Sequence, residues 1–321
     1  MHIEERKLQA QHIANLYKQI GYERYYKRIN ECARYLKYVE KVPHYFEIDY
    51  QSGSIELCEK DAEFRLVEGV FCRVRHCPIC QWRKTKRWQA IALRNLPIIK
   101  RELPKHRWLF LTLTVKNCKF EFLKETIEHL NKSFRKLVKF KSFPAEGWIK
   151  SLEVTINQKT NTVHPHFHVM LLVPPKYFNS SLIYMNQEDW KTAWKKAAKL
   201  DYEPMVNVKA IKLNQEDKHV AEALKYTVKP DHLFKINKEQ LLKLTTQLNG
   251  IHAINKGGIL REYLRNVGKE DIDYVGNLYD SARSTGMEMT KQFYSQFNGY
   301  EYVVRTKSGE LCRGYFELSE F

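Results

Sequence analysis

Residues 163–173 read Val-His-Pro-His-Phe-His-Val-Met-Leu-Leu-Val, and polar and apolar side chains alternate along their first half. A β-strand turns successive side chains to opposite faces, so His164, His166 and His168 share one face while Phe167 lies on the other. Imidazoles at alternate positions of a strand are roughly 7 Å apart and can converge on one divalent ion. The stretch therefore predicts a strand with a candidate metal site on its polar face.

The preceding run, 148–157, alternates in the same way and is joined to the histidine strand by a short polar turn, so the two predict a β-hairpin. If Gln158 pairs with Val163, Glu153 lies directly opposite His168. A slip of one residue would turn the Glu153 carboxylate into the apolar core, which the cost of burying an unpaired charge forbids. We therefore expect Glu153 on the histidine face.

Mixed nitrogen and oxygen ligands are typical of Mg²⁺, Mn²⁺ or another divalent ion that can hold a phosphate. We predict that Glu153, His166 and His168 bind such an ion, with His164 as a further ligand or as a partner of the ligands; zinc fits this donor set less well. A polar strip on a half-exposed strand is the other interpretation. Three histidines at alternate positions over an apolar reverse face favour the metal.

Periodicity on both sides of the hairpin predicts an α+β fold. The order β-α-β-β-α-β-α predicts an antiparallel sheet with helices on one face, as in RRM-like, split β-α-β folds. Beside the hairpin strands, the expected elements are a strand at 109–115, an amphipathic helix at 120–138, a helix at 187–200, a strand at 205–213 and a helix at 216–229.

On the last of these helices, His219, Glu222, Tyr226 and Lys229 are spaced to share one face. A tyrosine near a carboxylate and a lysine has the parts of a phosphoryl-transfer nucleophile. Its phenol, with a pKa of about 10, needs a cation or a metal to attack at neutral pH. A solvated helix face with a contact between Glu222 and Tyr226 is the alternative interpretation.

The composition narrows the class of partner. Lys and Arg number 54 against 37 Asp and Glu, which gives the 321-residue chain a net charge of +17. That excess predicts a polyanionic partner, nucleic acid before an acidic membrane surface. No apolar run reaches the roughly 20 residues of a spanning helix, the first residues do not resemble a secretory signal, and the seven cysteines are odd in number. We expect a cytoplasmic protein that does not enter the membrane.

Three cysteines, Cys72, Cys77 and Cys80, stand close together in the spacing Cys-x₄-Cys-x₂-Cys. This spacing predicts a structural Zn²⁺ site, which needs four ligands. Cys58 is the expected fourth, because an intervening hairpin would return the chain to the cluster. His76 and Cys32 are the alternatives, and unligated buried thiols are the other interpretation; Cys118 and Cys312 are expected to be core cysteines.

A basic segment follows the cysteines. Between Arg73 and Arg107 there are eleven Lys or Arg residues and a single acidic residue, Glu102. On a helix these residues would form a basic face, which contacts phosphates, and interleaved tryptophans can stack on bases or belong to the core. The expected DNA-binding residues are Trp82, Arg83, Lys84, Lys86 and Arg87.

Three stretches together resemble a known family. Phe-Leu-Thr-Leu-Thr-Val at 110–115, the histidine stretch at 164–172 and Glu-Ala-Leu-Lys-Tyr-Thr-Val-Lys at 222–229 resemble, in that order, the three motifs of HUH endonucleases. They are most similar to the Rep initiators of small rolling-circle plasmids of Gram-positive bacteria. The resemblance covers about 55–230, and no counterpart is evident beyond about 235.

The resemblance implies a mechanism. Tyr226 would attack one phosphodiester of single-stranded or hairpin DNA at a plasmid origin, and would keep the 5′-phosphate while a 3′-OH is freed to prime rolling-circle replication. His166 and His168 would hold the metal with Glu153, Lys229 would assist electrostatically, and Glu222 would activate water for the terminating cleavage. A host helicase and a polymerase are the implied partners.

The sequence divides into an N-terminal helical and zinc-binding region at 1–105, a catalytic domain at 106–232 and an accessory region of unknown role at 233–321. A single motif tyrosine disfavours the alternatives of an HUH transposase or a two-tyrosine relaxase. A zinc-stabilised nucleic-acid-binding protein without catalysis is the alternative from a different class, and charge and cysteines alone would support it.

Overall fold

A computed structural model of the protein describes residues 3–41, 44–48, 55–59, 63–213, 215–224, 227–265, 290–297 and 302–306. In the strands between residues 38 and 67 and in those after residue 289, the description covers the backbone only. Two compact units are formed, one by Met1–Arg87 with Gly268–Phe321 and the other by Trp88–Val267. The three-part division stated above rests on motifs and composition, and it stays a prediction.

The described helices and strands mix along the chain as in an α+β protein. In chain order they are α1 (Ile3–Gln19), α2 (Glu23–Glu31), β1 (Tyr35–Lys41), β2 (His44–Ile48), β3 (Ile55–Glu59), β4 (Glu63–Gly69), α3 (Pro78–Glu102), β5 (Arg107–Thr114), α4 (Leu123–Leu137), β6 (Gly147–Asn157), β7 (Thr162–Val173), α5 (Gln187–Ala198), β8 (Val206–Ala210), α6 (Glu216–Ala223), α7 (Pro230–Phe234), α8 (Lys238–Gln247), β9 (Ile254–Gly258), α9 (Leu260–Tyr263), β10 (Thr290–Phe297) and β11 (Tyr302–Thr306). No helix among the described residues has both the length and the apolar character needed to cross a membrane.

The first unit contains two small antiparallel sheets. One has four strands in the order β11-β10-β1-β4, and the other pairs β2 with β3. Helices α1 and α2 pack against each other, and the fully buried ring of Tyr17 makes a T-shaped contact with the ring of Tyr25, with the two centroids 5.2 Å apart. This unit holds the cysteine cluster.

The second unit is built on a five-stranded antiparallel sheet in the order β8-β5-β7-β6-β9. The predicted strands and the central hairpin are confirmed, and so are the helices at α4 and α5. Strand β9 was not expected. Its glycines let it pair closely with β6, because a Cβ atom added at Gly257 would lie 2.3 Å from the ring of Trp148.

Helices cover both faces of this sheet, so the prediction of helices on one face is wrong. Helices α4 and α5 cover the face that carries Phe167: Phe134 packs edge-on against Phe167, and the indole of Trp194 donates a hydrogen bond to the carbonyl of Thr114. On the histidine face, half of the surface is apolar and forms a core with α3 and α6. That core includes Trp108, Phe110, Ile149, Met170 and Leu172 from the sheet, and Ile91, Leu96, Ile99, Val220 and Leu224 from the helices.

The hairpin register differs from the expected one by two residues. Glu153 pairs with His166 rather than with His168, and Asn157 pairs with Thr162. The turn starts one residue earlier because the side chain of Asn157 accepts hydrogen bonds from two backbone N–H groups of the turn, and Asn161 adopts the left-handed conformation. Since side chains alternate with a period of two, the shift leaves Glu153 on the histidine face.

Helix α6 ends at Ala223, so the prediction of a helix over 216–229 is wrong in its second half. The carbonyl of Thr227 accepts a hydrogen bond of 2.7 Å from the N–H of Val154, instead of serving a helix. Pro230 holds Lys229 in an extended conformation (ψ 139°) and begins α7. His219 and Lys229 therefore do not share a helix face, and Lys225 and Tyr226 lie outside the described residues.

One charged side chain lies in the core between β6 and α4. Lys150 is 3% exposed, its Nζ donates a hydrogen bond of 2.6 Å to Asn131, and it lies 3.9 Å from the centroid of the Phe167 ring. Burial lowers the pKa of Lys150 to about 7, and the charge of Arg135 acts in the same direction. The ammonium thus opposes folding when it is charged.

We expect Lys150→Met to be more stable than the natural protein, by a margin that shrinks as the pH rises from about 7 to about 10. The unfolded chain, with a lysine pKa of about 10.4, binds more protons than the folded chain in this window, so folding of the natural protein gains up to about 1.4 kcal/mol per pH unit. Denaturant unfolding at several pH values measures the margin. Lys132→Met, at an exposed position of α4, is the control. A margin for Lys150→Met that does not change with pH would contradict the expectation.

Candidate functional site

Glu153, His166 and His168 come together at the centre of the second unit's sheet. Strand β6 supplies the carboxylate and β7 supplies both imidazoles, and one ligand atom from each lies within 4.8 Å of the other two. Oε2 of Glu153 is 3.2 Å from Nε2 of His168 and 3.9 Å from Nε2 of His166. Two imidazoles and a carboxylate form a donor set that fits a divalent cation.

Each imidazole is held by its other nitrogen. Nδ1 of His166 lies 3.1 Å from the carbonyl oxygen of His164, which can only accept, so Nδ1 carries the proton and Nε2 keeps its lone pair. Nδ1 of His168 lies 3.2 Å from the hydroxyl of Thr112 on β5. Sequence reasoning did not single out Thr112, although strand alternation and the pairing of Thr112 with His168 place it on this face.

The carboxylate of Glu153 is 4% exposed and stays ionised. Burial alone would raise its pKa, but the hydrogen bond with His168 and the charges of His166, His168 and Lys229 outweigh burial and lower the pKa to about 2. Nζ of Lys229 lies 3.2 Å from Oε1, which leaves Oε2 directed at the imidazoles. Burial lowers the pKa of His166 to about 4, so this ligand is neutral near pH 7. Both groups are in the protonation state that binds metal.

His164 lies beside this group rather than in it. Its ring stacks on the ring of His166 at a centroid distance of 5.0 Å, and burial lowers its pKa. The three atoms that converge belong to Glu153, His166 and His168. His164 thus has the position of a packing partner for a ligand.

The segment with the expected nucleophile is tied to β6 on both sides. The hydroxyl of Ser151 donates to the carbonyl of Ala223, and the N–H of Val154 donates to the carbonyl of Thr227. Glu222 lies half-buried in the last turn of α6, and Tyr226 lies outside the described residues. The described chain on either side of Tyr226 is therefore bonded to the residues that flank Glu153.

Four cysteines gather in the first unit: Cys32, Cys72, Cys77 and Cys80, whose sulfur atoms all lie within 4.8 Å of one another. Cys32, an alternative in the sequence analysis, occupies the place expected for Cys58. Four thiols already complete a tetrahedral set. Cys58 lies on β3, opposite Tyr45, and its side chain is outside the description. Of the other cysteines, Cys118 is half-buried beside β7 and Cys312 lies outside the described residues.

Two of the four sulfur atoms accept hydrogen bonds from backbone N–H groups. The N–H of Arg73 donates to Sγ of Cys80 at 3.2 Å, and the N–H of Cys72 donates to Sγ of Cys32 at 3.4 Å. Hydrogen bonds from the thiols of Cys32, Cys72 and Cys77 lower the pKa of Cys80, whereas hydrogen bonds with the neighbouring thiols, together with burial, raise the pKa values of Cys32 and Cys77. Lys7 is buried and donates to the carbonyl of Cys32; burial lowers its pKa, and the nearby Cys32 and Cys77 act in the opposite direction. The cluster can bind a metal, and His76 is buried outside it.

The expected DNA-binding residues all lie on α3 and differ in their surroundings. Trp82 faces the guanidinium of Arg6 at 5.0 Å, and the guanidinium of Arg83 lies 3.4 Å from the centroid of Phe71, so both side chains contact neighbours in the first unit. Lys84 and Arg87 are exposed, and Lys86 is half-buried. Their role in DNA binding stays a prediction.

The chain is similar to known replication proteins. The chain matches the family model described as "Replication protein" over residues 63–303. It is 31% identical over 282 residues to "Protein rep" of Lentilactobacillus hilgardii, across 84% of this chain and 83% of the relative. It is 33% identical over 295 residues to "Protein rep" of Bacillus amyloliquefaciens, across 83% and 80%, and 29% identical over 310 residues to that of Streptococcus pneumoniae, across 94% and 91%. No solved structure matches.

The chain therefore belongs to the replication protein (Rep) family. The resemblance to Rep initiators that the three motifs indicated is confirmed, and it extends to residue 303 rather than ending near 235. The extension includes β9, which pairs with β6 in the sheet that carries the histidines.

We expect Thr112→Val to weaken Mn²⁺ binding by about tenfold or more, because loss of a partner that orients a histidine typically costs 10- to 100-fold in metal affinity. Calorimetric titration with Mn²⁺ measures the change. Thr114→Val is the matched control, since the Thr114 hydroxyl donates to the carbonyl of Met205 and not to a histidine. Equal affinities for the two variants would show that Thr112 does not orient His168.

We expect Cys32→Ser to lose one zinc ion and to unfold more readily, while Cys58→Ser keeps the ion. A structural zinc site contributes directly to folding, so a lost ligand costs both metal and stability. Mass spectrometry under native conditions counts the metal, and thermal unfolding measures the stability. The opposite result, with zinc lost only from Cys58→Ser, would restore Cys58 as the fourth ligand.

Proposed function

We propose that this protein is a site-specific DNA nicking and joining enzyme that initiates and terminates rolling-circle replication at a plasmid origin. Membership of the replication protein family supports the biological role. The observation that carries the chemistry is the buried group of Glu153, His166 and His168, next to a chain segment that contains a tyrosine. Its substrate is single-stranded or hairpin DNA.

In this proposal Tyr226 is the nucleophile. Its phenolic oxygen forms a bond to the phosphorus as the bond from phosphorus to the 3′ oxygen breaks. The phenol loses a proton and the departing 3′ oxygen gains one, so the products are a 5′-phosphotyrosine and a free 3′-OH. The phosphotyrosine retains the energy of the phosphodiester, which permits rejoining. The bonds from Ser151 and Val154 to the chain on either side of Tyr226 support its place beside Glu153.

Glu153, His166 and His168 would hold Mg²⁺ or Mn²⁺, which when bound stabilises the charge that develops on the phosphate oxygens. The protein's own contribution is to bring three donor atoms together, and those of Glu153 and His166 are in the protonation state that binds a cation. Lys229 neutralises the second oxygen of Glu153 and, being 46% exposed, also brings positive charge to the substrate side. Thr112 and the carbonyl of His164 keep the imidazoles oriented.

Glu222 would activate water in the terminating cleavage, so that a single tyrosine serves both steps. Its place in the last turn of α6 supports this role, since Ala223, the next residue, is bonded to Ser151 beside Glu153. His219, one turn earlier, packs on Phe110, and the Phe110 ring also contacts His168. The end of α6 that carries Glu222 is thereby fixed against the histidine face.

DNA binding would use the basic residues of α3 and the net charge of +17, and the four cysteines would hold a structural Zn²⁺ beside the start of that helix. Cys77 precedes the first residue of α3, and Cys80 lies in its first turn. A zinc ion there would anchor the helix that presents Lys84 and Arg87. A host helicase and a polymerase are the proposed partners at the freed 3′-OH.

We expect Tyr226→Phe to abolish the covalent DNA adduct while binding to the same DNA is unchanged, because only the attacking oxygen is removed. Purified protein is incubated with labelled plasmid-origin and hairpin single strands and Mn²⁺, and the adduct is resolved on a denaturing gel. Tyr184→Phe, at an exposed tyrosine of the same unit, should form the adduct normally.

His166→Ala is the second arm of this experiment and should also lose the adduct. An adduct that survives in Tyr226→Phe would mean that another residue is the nucleophile. No adduct from the natural protein across the whole set of origin strands, together with tight and salt-sensitive binding, would favour a nucleic-acid-binding protein without catalysis.

A further inference from the structure

A cavity of about 520 Å³ opens at the hairpin end of the histidine face, in the unit Trp88–Val267. Residues of the β6–β7 hairpin form one wall, and the region of α7 forms the other, with His232 and Lys235. Its volume lies in the range of sites that enclose small organic ligands. None of the roles assigned above uses this cavity.

The lining is basic. Lys159 in the hairpin turn and Lys235 after α7 contribute two ammonium groups, and none of the lining residues is acidic. Two carboxylates act electrostatically on the nearby His232, those of Glu153 and Asp231, but Glu153 is already paired with Lys229. Such a lining favours an anionic ligand.

The walls are held in place before any ligand arrives. Gln240 of α8 is 6% exposed, and its Nε2 donates to Gln158 at 3.2 Å and to Asn161 at 2.8 Å. Gln158 in turn donates to the carbonyl of Lys235 at 3.4 Å, which joins the two walls. These hydrogen bonds fix the backbone near Lys159 and Lys235. Little conformational entropy is therefore lost when a ligand binds.

The cavity adjoins the group of Glu153, His166 and His168, and the ring of His164 lies between the two. His164 lines it and stacks on His166. His232 accepts a hydrogen bond of 3.0 Å at Nδ1 from the N–H of Ile156, so its neutral ring carries the proton on Nε2 as a donor. An aromatic ring, amide groups such as that of Asn117, and two cations are the parts that recognise an unstacked nucleotide.

We propose that this cavity binds one nucleotide of the single strand next to the scissile phosphate, with the phosphate of that nucleotide held by Lys159 and Lys235 and the base against His164. The inference rests on the proposed nicking function. It adds the place at which the single strand continues beyond the group of Glu153, His166 and His168. Since the volume of about 520 Å³ has room for one nucleotide, we expect the cavity to take an unpaired strand in preference to a base pair.

The test measures binding of the full chain to a fluorescein-labelled oligothymidylate of about 15 nucleotides, without added Mg²⁺ or Mn²⁺, as the NaCl concentration is raised. Lys159→Ala/Lys235→Ala should bind about tenfold more weakly. Its slope of log affinity against log salt should be smaller by about 0.7, because the contact of the two lysines with one phosphate of the single strand is lost. The charge-matched control is Lys132→Ala/Lys136→Ala, two exposed lysines of α4 on the other face of the sheet, and it should retain the natural slope.

Two further arms decide between outcomes. When the same oligothymidylate is annealed to oligoadenylate, its affinity should depend little on Lys159 and Lys235. An equal loss of affinity for the duplex and for the single strand would show that the lysines attract any phosphate, and it would contradict the proposed nucleotide site. Lys159→Gln/Lys235→Gln, which keeps the side-chain bulk, should reproduce the loss if the alanine variant folds poorly. A natural slope in both variants would also overturn the proposal.

Binding in this assay needs no cleavage, so it is separable from the nicking function. Loss of binding in the lysine variants together with no adduct from the natural protein would retain the nucleotide cavity and reject the enzyme. A normal adduct with unaltered binding by the lysine variants would reject the cavity alone.

Discussion

The carboxylate of Glu153 is the constraint on which the rest of the site depends. A charge taken out of water costs several kcal/mol unless it is paired. Here His168 and Lys229 each contact one oxygen of the carboxylate, and His166 faces Glu153 from the paired position of β7. The hairpin register places His166 opposite Glu153. Because α6 ends at Ala223 and Lys229 is extended, the ammonium of Lys229 lies 3.2 Å from the same carboxylate.

The histidine face of the sheet has an apolar half and a polar half. Trp108, Phe110 and Met170 lie under α3 and α6 in an apolar core, while the residues two and four positions along the same strands belong to the polar group that could hold a metal ion. The apolar half fixes α6 to the sheet, so Glu222 is placed by packing next to a site built of polar contacts. The polar half contains the group of Glu153, His166 and His168, and the basic cavity lies at its hairpin end.

Much of this followed from local patterns. Alternation in 148–157 and 163–173 predicted the hairpin and its polar face, and the confirmed face survived a register error because the error was an even number of residues. The end of the helix at Ala223 was missed, since helical periodicity continues in the sequence through 229. Only the bond from Val154 to Thr227 and the restriction from Pro230 overrule that periodicity.

The α+β class, the three candidate ligands on one face, the basic character of the chain and its resemblance to Rep initiators all follow from the amino-acid sequence, because each depends on composition or on the order of neighbouring residues. The tertiary structure alone decided which distant residues complete these groups: Cys32 at the cysteine cluster, Thr112 behind His168, and Gln240 under the cavity. These three residues reach their partners through the packing of separate helices and strands. The spacing of residues along the chain does not indicate the distances between those elements.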